Sequence, residues 1–279
     1  MEPNEKLILT NAAGARAELV LQGAHLTSWV PVGGSEQLYL SGAAVYRPRA
    51  AIRGGVPVIF PQFGGFGSLP KHGFARILPW ELDQLTIHDG LATARLMQRD
   101  SVASRQVWNF PYSLSLTIEL GDTHLGLRLD LENPGAGPLT FTAALHTYLR
   151  VSDLSEASLI GLGGQSFLDT RNGQLLPGMQ TESSLIFTAE TDRIYQNAPS
   201  PLVLQDPLHR VEIASSGFPD CVVWNPGPVL AARLADLESG GEQRFVCVEA
   251  AQALEPVSLP PGARWSAAQT LQFQPARSG

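Results

Sequence analysis

The 279-residue chain is poor in cysteine, with Cys221 and Cys247 alone, each inside an apolar run. They read as buried free thiols in a reducing cytosol, with a single disulfide as the lesser alternative. Charge is scarce as well. Charged residues make up 16%, against about 25% in an average domain. The net charge of −7 leaves no global attraction for nucleic acid or anionic membrane, so neither is expected as a partner. No 18 consecutive residues are apolar, so no membrane span is expected. Met1–Lys6 carries no apolar run of signal-peptide length, which points to the cytoplasm.

Motifs of several reaction classes are missing too. The six histidines never pair at metal-ligand spacing, and no His-Glu-x-x-His occurs. Neither Gly-x-Ser-x-Gly nor a cysteine placed to attack is present. Gly64-Gly65-Phe66-Gly67 lacks the Lys-Ser/Thr of a nucleotide loop and precedes no helical pattern; these glycines serve turning or close approach to a ligand. A helical stripe over three turns is absent, with Ala232–Leu237 offering one or two turns at most, so a parallel α/β fold is disfavoured.

What the chain does have is turns and alternation. Hydrophobic residues reach 44%, which rules out disorder. With 27 glycines and 21 prolines, short strands are favoured over long helices. Leu114, Leu116, Ile118 and Leu120 alternate with polar residues, and after Gly121–His124 the phase resumes at Leu125, Leu127, Leu129 and Leu131. That predicts an antiparallel hairpin with one buried and one wet face. Thr140–Leu149 and Arg244–Glu249 read as deeply buried strands. Shorter strands are predicted at Ala17–Gln22, Leu38–Leu40, Leu91–Met97, Leu208–Ile213, Cys221–Trp224 and Trp265–Phe273. No repeat or linker divides the chain, so residues 1–279 are expected to form one all-β domain of two packed sheets.

The charge is unevenly spread. From Gln37 to Trp80 there is no Asp or Glu, where average density gives about four, while Arg47, Arg49, Arg53, Lys71 and Arg76 fall within it, beside His72. The window therefore carries +5 and the remainder −12. A local cationic patch on an acidic chain suggests a small anion, which arginine grips with its planar fork; a solvated loop is the alternative. His146 lies inside the apolar run Phe141–Tyr148, either as a core histidine or as a general acid or base. Glu249 closes the run Phe245–Val248, where burial would raise its pKa toward that of a base unless the strand emerges into solvent there. A histidine and a carboxylate point to proton transfer without a cofactor.

Several blocks in register then resemble one family. Ile52-Arg53-Gly54-Gly55-Val56-Pro57, Pro70-Lys71-His72-Gly73-Phe74-Ala75-Arg76, Leu145-His146-Thr147-Tyr148, Thr191-Asp192-Arg193-Ile194-Tyr195, Val223-Trp224-Asn225-Pro226 and Val246-Cys247-Val248-Glu249 are similar to the signature of the hexose-6-phosphate mutarotases. These are the glucose-6-phosphate 1-epimerases of the aldose 1-epimerase superfamily. The resemblance implies a galactose-mutarotase-like β-sandwich and a cofactor-free reaction. It implies His146 as general acid and Glu249 as general base. Arg53 and Arg76 match substrate or phosphate contacts, and Asp192 a partner for a sugar hydroxyl. Lys71 stands at a substrate-contact position where the family often has a neutral residue. His72 would line the sugar site or brace its loop, and Trp224 would wall the pocket or pack in the core. His146 is expected protonated over ionised Glu249, about a sugar ring's width away, with phosphate contacts giving orientation and specificity rather than chemistry. The expected partner is a hexose 6-phosphate, acted on by a monomer. A 1-epimerase of unphosphorylated sugars and a non-catalytic phosphosugar binder are the alternatives.

Overall fold

The computed structural model describes residues 6–275; Met1–Glu5, on which the signal-peptide reading partly rests, lies outside them. All strand ladders are antiparallel and form three sheets. A three-stranded sheet joins Lys6–Thr10, Arg16–Val20 and His25–Val30. A nine-stranded sheet runs in the order Ser184–Ile186, Ser158–Ile160, Leu202–Gln205, His209–Ser216, Arg264–Pro275, His124–Glu132, Ser113–Leu120, Leu91–Arg99 and Glu81–His88. The eight-stranded sheet carries Leu176–Met179, Ser166–Asp169, Thr191–Tyr195, Asp220–Asn225, Phe245–Leu259, Leu139–Leu145 and Val58–Ile59 in order, with Tyr148–Arg150 also on Phe245–Leu259.

Alternation explains how these sheets meet. In the hairpin Ser113–Leu120/His124–Glu132 the register runs from Ser113 opposite Glu132 to Leu120 opposite Leu125, and every leucine of the expected inner face is buried. Its other face is less wet than the sequence suggests, because Ser115 and Thr117 are buried too. Those leucines share one apolar cluster with Leu145, Val223, Val246, Val248 and Ala250 of the eight-stranded sheet and Leu19 and Leu26 of the three-stranded one. The arrangement is a β-sandwich whose core lies between large antiparallel sheets.

Three local readings change. Thr140–Leu149 is not one strand: it breaks after Leu145 and resumes at Tyr148. Leu38 and Leu40 make isolated bridges, to Leu149 and Gly54, rather than a strand. Helix occurs at Val102–Val107, with a capping box between Ser101 and Ser104, and at Gly227–Ala231, just ahead of the Ala232–Leu237 segment. Helices this short show no periodic stripe to read. Among the described residues no helix is long and apolar enough to cross a membrane. Both cysteines are buried and unpaired.

Candidate active site

Strand Phe245–Leu259 sets the site by alternation. Val246, Val248 and Ala250 face the main core, while Cys247, Glu249 and Ala251 point to the other side of the sheet. There Glu249 lies between two small apolar clusters. One contains Ile59, Ala144, Val222 and Ala251, the other Tyr39, Tyr148, Phe245 and Cys247. The strand does not emerge into solvent at Glu249 but continues to Leu259, leaving the residue 2% exposed.

The chain break places His146 beside it. The His146 N–H donates to Pro57 O at 3.0 Å, continuing the register in which Leu145 lies opposite Val58, while Thr147 N turns back onto Leu145 O at 3.0 Å. Next to it the Thr147 hydroxyl donates to Gln269 Oε1, and Gln269 Nε2 donates to Val248 O at 3.0 Å. A side chain of the nine-stranded sheet thus clamps the break from behind. The imidazole stacks on Tyr148, with centroids 4.9 Å apart, and meets His72 edge-on at 5.6 Å.

His146 Nε2 lies 3.3 Å from Glu249 Oε1. They are in contact, not a sugar ring apart as expected from sequence. The register explains the correction: Ala250 lies opposite Leu145 and Cys247 opposite Tyr148, so Glu249 and His146 fall at neighbouring positions on adjacent strands. Burial, then Arg76 and Arg53, push His146 well below the ordinary imidazole value. Burial, then Asp192, push Glu249 well above the ordinary carboxylate value. Burial thus pushes the two groups in opposite directions, each toward its uncharged form, while their contact couples their titration.

The cationic groups approach from two loops. Gly54, at φ +104°, lies so close to Tyr39 O that a Cβ there would sit 2.4 Å from it; this tight passage delivers Arg53. Arg53 donates from Nε and Nη2 to Asp236 Oδ1, at 3.2 and 3.1 Å, and from Nη1 to the Tyr148 hydroxyl at 3.1 Å. In the second loop, Gly73 at φ +64° leaves no room for a Cβ beside Phe60 O. His72 N donates to Gly64 O at 2.9 Å, and its Nδ1 accepts from Gly64 N at 3.3 Å, so His72 braces the loop while its ring faces His146. Arg76 donates from Nη2 to Lys71 O at 3.2 Å, and its Nε is buried without a partner. Lys71 is exposed. Asp192, across the ladder from Trp224, has its pKa raised, mainly by burial.

The seven candidates thus come together, as their mutual electrostatic influence also records. Arg47 and Arg49 do not join them. Both are exposed, and Arg49 lines a different cavity of about 580 Å³ with Pro79, Arg99 and Ser101. Among the described residues no three His, Cys, Asp or Glu side chains gather as a metal site. A buried acid–base couple beside Arg76 and Lys71, which have no ion pair among the described residues, is suited to proton transfer on an anionic substrate.

The model of one known family, Aldose 1-epimerase, matches residues 5–272. The chain belongs to the aldose 1-epimerase family. Proteins named "Putative glucose-6-phosphate 1-epimerase" are similar to it. The one from Escherichia coli is 38% identical over 89% of this chain and 84% of its own length, and that from Cenchrus ciliaris 33% over 98% and 85%. The crystal structure of "a putative mutarotase" from Salmonella typhimurium superposes with a TM-score of 0.89 at 32% identity, covering 97% of this chain and 90% of the other. A galactose mutarotase related enzyme from Lactobacillus acidophilus shares the fold, with a TM-score of 0.79 at 14% identity over 97% of each chain.

Within this aldose 1-epimerase, sequence reasoning missed Asp236 and gave Tyr148 no role. Asp236 is 183 positions from Arg53 and sits in an irregular loop, so no local pattern marks it. Tyr148 carried a readable signal, since period two puts it on the face of His146. Trp224 packs against the apolar cluster of Tyr148, Phe245 and Cys247 while staying partly exposed, edge-on to His146 at 6.0 Å and 5.9 Å from the Arg53 guanidinium carbon.

Proposed function

We propose that this aldose 1-epimerase interconverts the α and β anomers of a hexose 6-phosphate, D-glucose 6-phosphate first, without a cofactor. The observation that carries the reading is the 3.3 Å contact of His146 with Glu249 beside Arg53, Arg76 and Lys71. Working as imidazolium and carboxylate, Glu249 takes the proton of the anomeric hydroxyl while His146 protonates the ring oxygen, and the C1–O5 bond opens. Rotation about C1–C2 and reclosure with reversed roles give the other anomer. Arg76 and Lys71 hold the phosphate, Arg53 reaches phosphate or sugar from its Asp236 anchor, and Asp192 takes a sugar hydroxyl. His72 supports the loop and lines the pocket.

Arg76 and Lys71, which have no ion pair among the described residues, favour a phosphorylated over a neutral sugar, and the relatives' names agree. The apolar cluster that draws on all three sheets supports one sandwich domain across the chain. All seven candidates come from one copy, which fits a cytoplasmic monomer. Saturation-transfer NMR or polarimetry comparing D-glucose 6-phosphate with D-glucose tests the reading. Faster exchange of the phosphosugar supports it. Equal or preferential turnover of glucose refutes the phosphate assignment, and phosphosugar binding without faster exchange refutes catalysis.

A further inference from the structure

Histidines that exchange protons are ordinarily oriented by a hydrogen bond at the ring nitrogen that does not take part. His146 has no such bond: its Nδ1 is buried without a partner among the described residues. Aromatic rings surround it instead. The Tyr148 ring lies against one face of the imidazole, with centroids 4.9 Å apart and an interplanar angle of 10°. His72 and Trp224 meet it at steep angles, 65° at 5.6 Å and 82° at 6.0 Å. The backbone sets up the stack. Side chains two apart on a regular strand stand about 6.6 Å from each other. Here Thr147 N donates back to Leu145 O at 3.0 Å, a three-residue turn centred on His146. That turn interrupts the strand between Leu145 and Tyr148, and the two rings come to offset-stacking distance.

We propose that Tyr148 is a positioning residue of the acid–base couple: its ring fixes the plane of the His146 imidazole in which Nε2 meets Glu249 Oε1. This rests on the phosphosugar reading above. A plate orients its neighbour only if it is itself immobile, and Tyr148 is held on every side. It is 2% exposed. Its N–H donates to Gly55 O at 2.9 Å, and its carbonyl accepts from Tyr39 N at 3.0 Å. Phe245 lies against the ring at 5.1 Å, Trp224 meets it edge-on at 6.0 Å, and the hydroxyl accepts from Arg53 Nη1 at 3.1 Å. Ring and hydroxyl thus have separate tasks. The ring backs His146, whereas the hydroxyl steadies Arg53, whose Nε and Nη2 are held by Asp236. Turning the imidazole out of this plane carries Nε2 off its 3.3 Å contact while leaving the substrate-binding groups in place.

Separating the ring from its hydroxyl tests this. With the intact protein, kcat and KM for D-glucose 6-phosphate are measured for the parent, Tyr148→Phe and Tyr148→Leu, subtracting rates without enzyme. Phenylalanine keeps the plate, so kcat is expected within about threefold of the parent, the loss falling on KM as Arg53 gives up an anchor. Leucine removes it, so kcat is expected about tenfold or more lower, toward the roughly hundredfold that a misplacement of about 1 Å can cost. A merely structural role lowers the unfolding midpoint without this split between kcat and KM. In parallel, the ring current of the facing aromatic is expected to shift the His146 Cε1–H signal upfield in ¹H–¹³C spectra of the parent and Tyr148→Phe, and to be lost in Tyr148→Leu. A fall in kcat of about tenfold or more in Tyr148→Phe overturns the proposal, as does an unshifted His146 signal in the parent. Parent-like kcat in Tyr148→Leu overturns it too, and the first two arms decide even if that variant does not fold. Absence of turnover by the parent overturns the functional reading itself, and the His146 signal then still decides on the plate, so the two failures are distinct.

Discussion

The His146 imidazole meets the Glu249 carboxyl through Nε2 and Oε1, while Nδ1 of the one and Oε2 of the other are buried without partners. Buried polar atoms are rarely left unpaired without a reason, and under the proposed function a sugar hydroxyl or ring oxygen would supply one. Each positioned proton transfer is typically worth about 10²–10⁴ in rate. His146→Ala and Glu249→Ala are each expected to lower kcat for glucose 6-phosphate by that order, with circular dichroism unchanged. A loss below tenfold in saturation-transfer exchange sinks the assignment.

The couple also fixes the pH profile. It works with one proton between its members, so gaining a second on the acid side removes the base. Losing the shared proton on the alkaline side removes the acid. The apparent constants belong to the pair. Because His146 is held below 6.5 by burial and the arginines, the acid limb of kcat/KM for the free enzyme is expected below that value. The alkaline limb is expected above the ordinary carboxylate value of 4.5, since Glu249 is raised by burial and Asp192. A profile lacking either limb contradicts the mechanism.

Stability carries the same signature with a definite sign. Glu249 binds its proton more tightly folded than unfolded, so its contribution is fully present below 4.5 and is lost as pH rises through the folded value. Glutamine cannot ionise. Glu249→Gln is expected to match the parent at low pH and to exceed it increasingly as pH rises, read from urea midpoints. An advantage largest at low pH runs against this.

Behind the couple, Gln269 is expected to be the residue on which the chain break depends. It is 1% exposed, accepts from the Thr147 hydroxyl and donates to Val248 O. Gln269→Leu strands both of those groups in the core, at about 1–3 kcal/mol each. A loss of roughly 2 kcal/mol or more in denaturant unfolding is expected, together with lower kcat as His146 shifts. Unchanged stability and kcat would show that the break holds without the clamp.

Sequence pattern reached most of this fold because period two survives in a half-buried strand. The Leu114–Leu120 and Leu125–Leu131 faces show it, and the blocks around Arg53, Lys71, His146 and Glu249 carried the site. What escaped it depends on distant partners. The turn-back at Thr147 is held by Gln269, which no window around His146 contains. The Asp236 anchor for Arg53 belongs to a loop tied down by Ser41 and Glu238. The directions in which His146 and Glu249 are pushed follow from burial and from charges converging from several elements. Only the assembled site reveals them.

Lys71 gives a final discriminating case. It is exposed and makes no ion pair within 4.0 Å among the described residues, whereas Arg53 already pairs with Asp236 at 3.1 Å. Its charge is therefore available to a phosphate, but solvent weakens it: two unit charges about 4 Å apart gain ~1 kcal/mol in water and ~4 kcal/mol near a protein surface. Lys71→Gln is expected to raise KM for glucose 6-phosphate by about three- to tenfold at low salt, toward the lower end of that energy range. Added salt should narrow the difference, because screening weakens exposed charges first. Turnover at saturation should change little, since Lys71 bears on His146 less than Arg76 and Arg53 do. A KM unchanged at low salt would remove Lys71 from the phosphate site, and a fall confined to kcat would move it into the acid–base machinery.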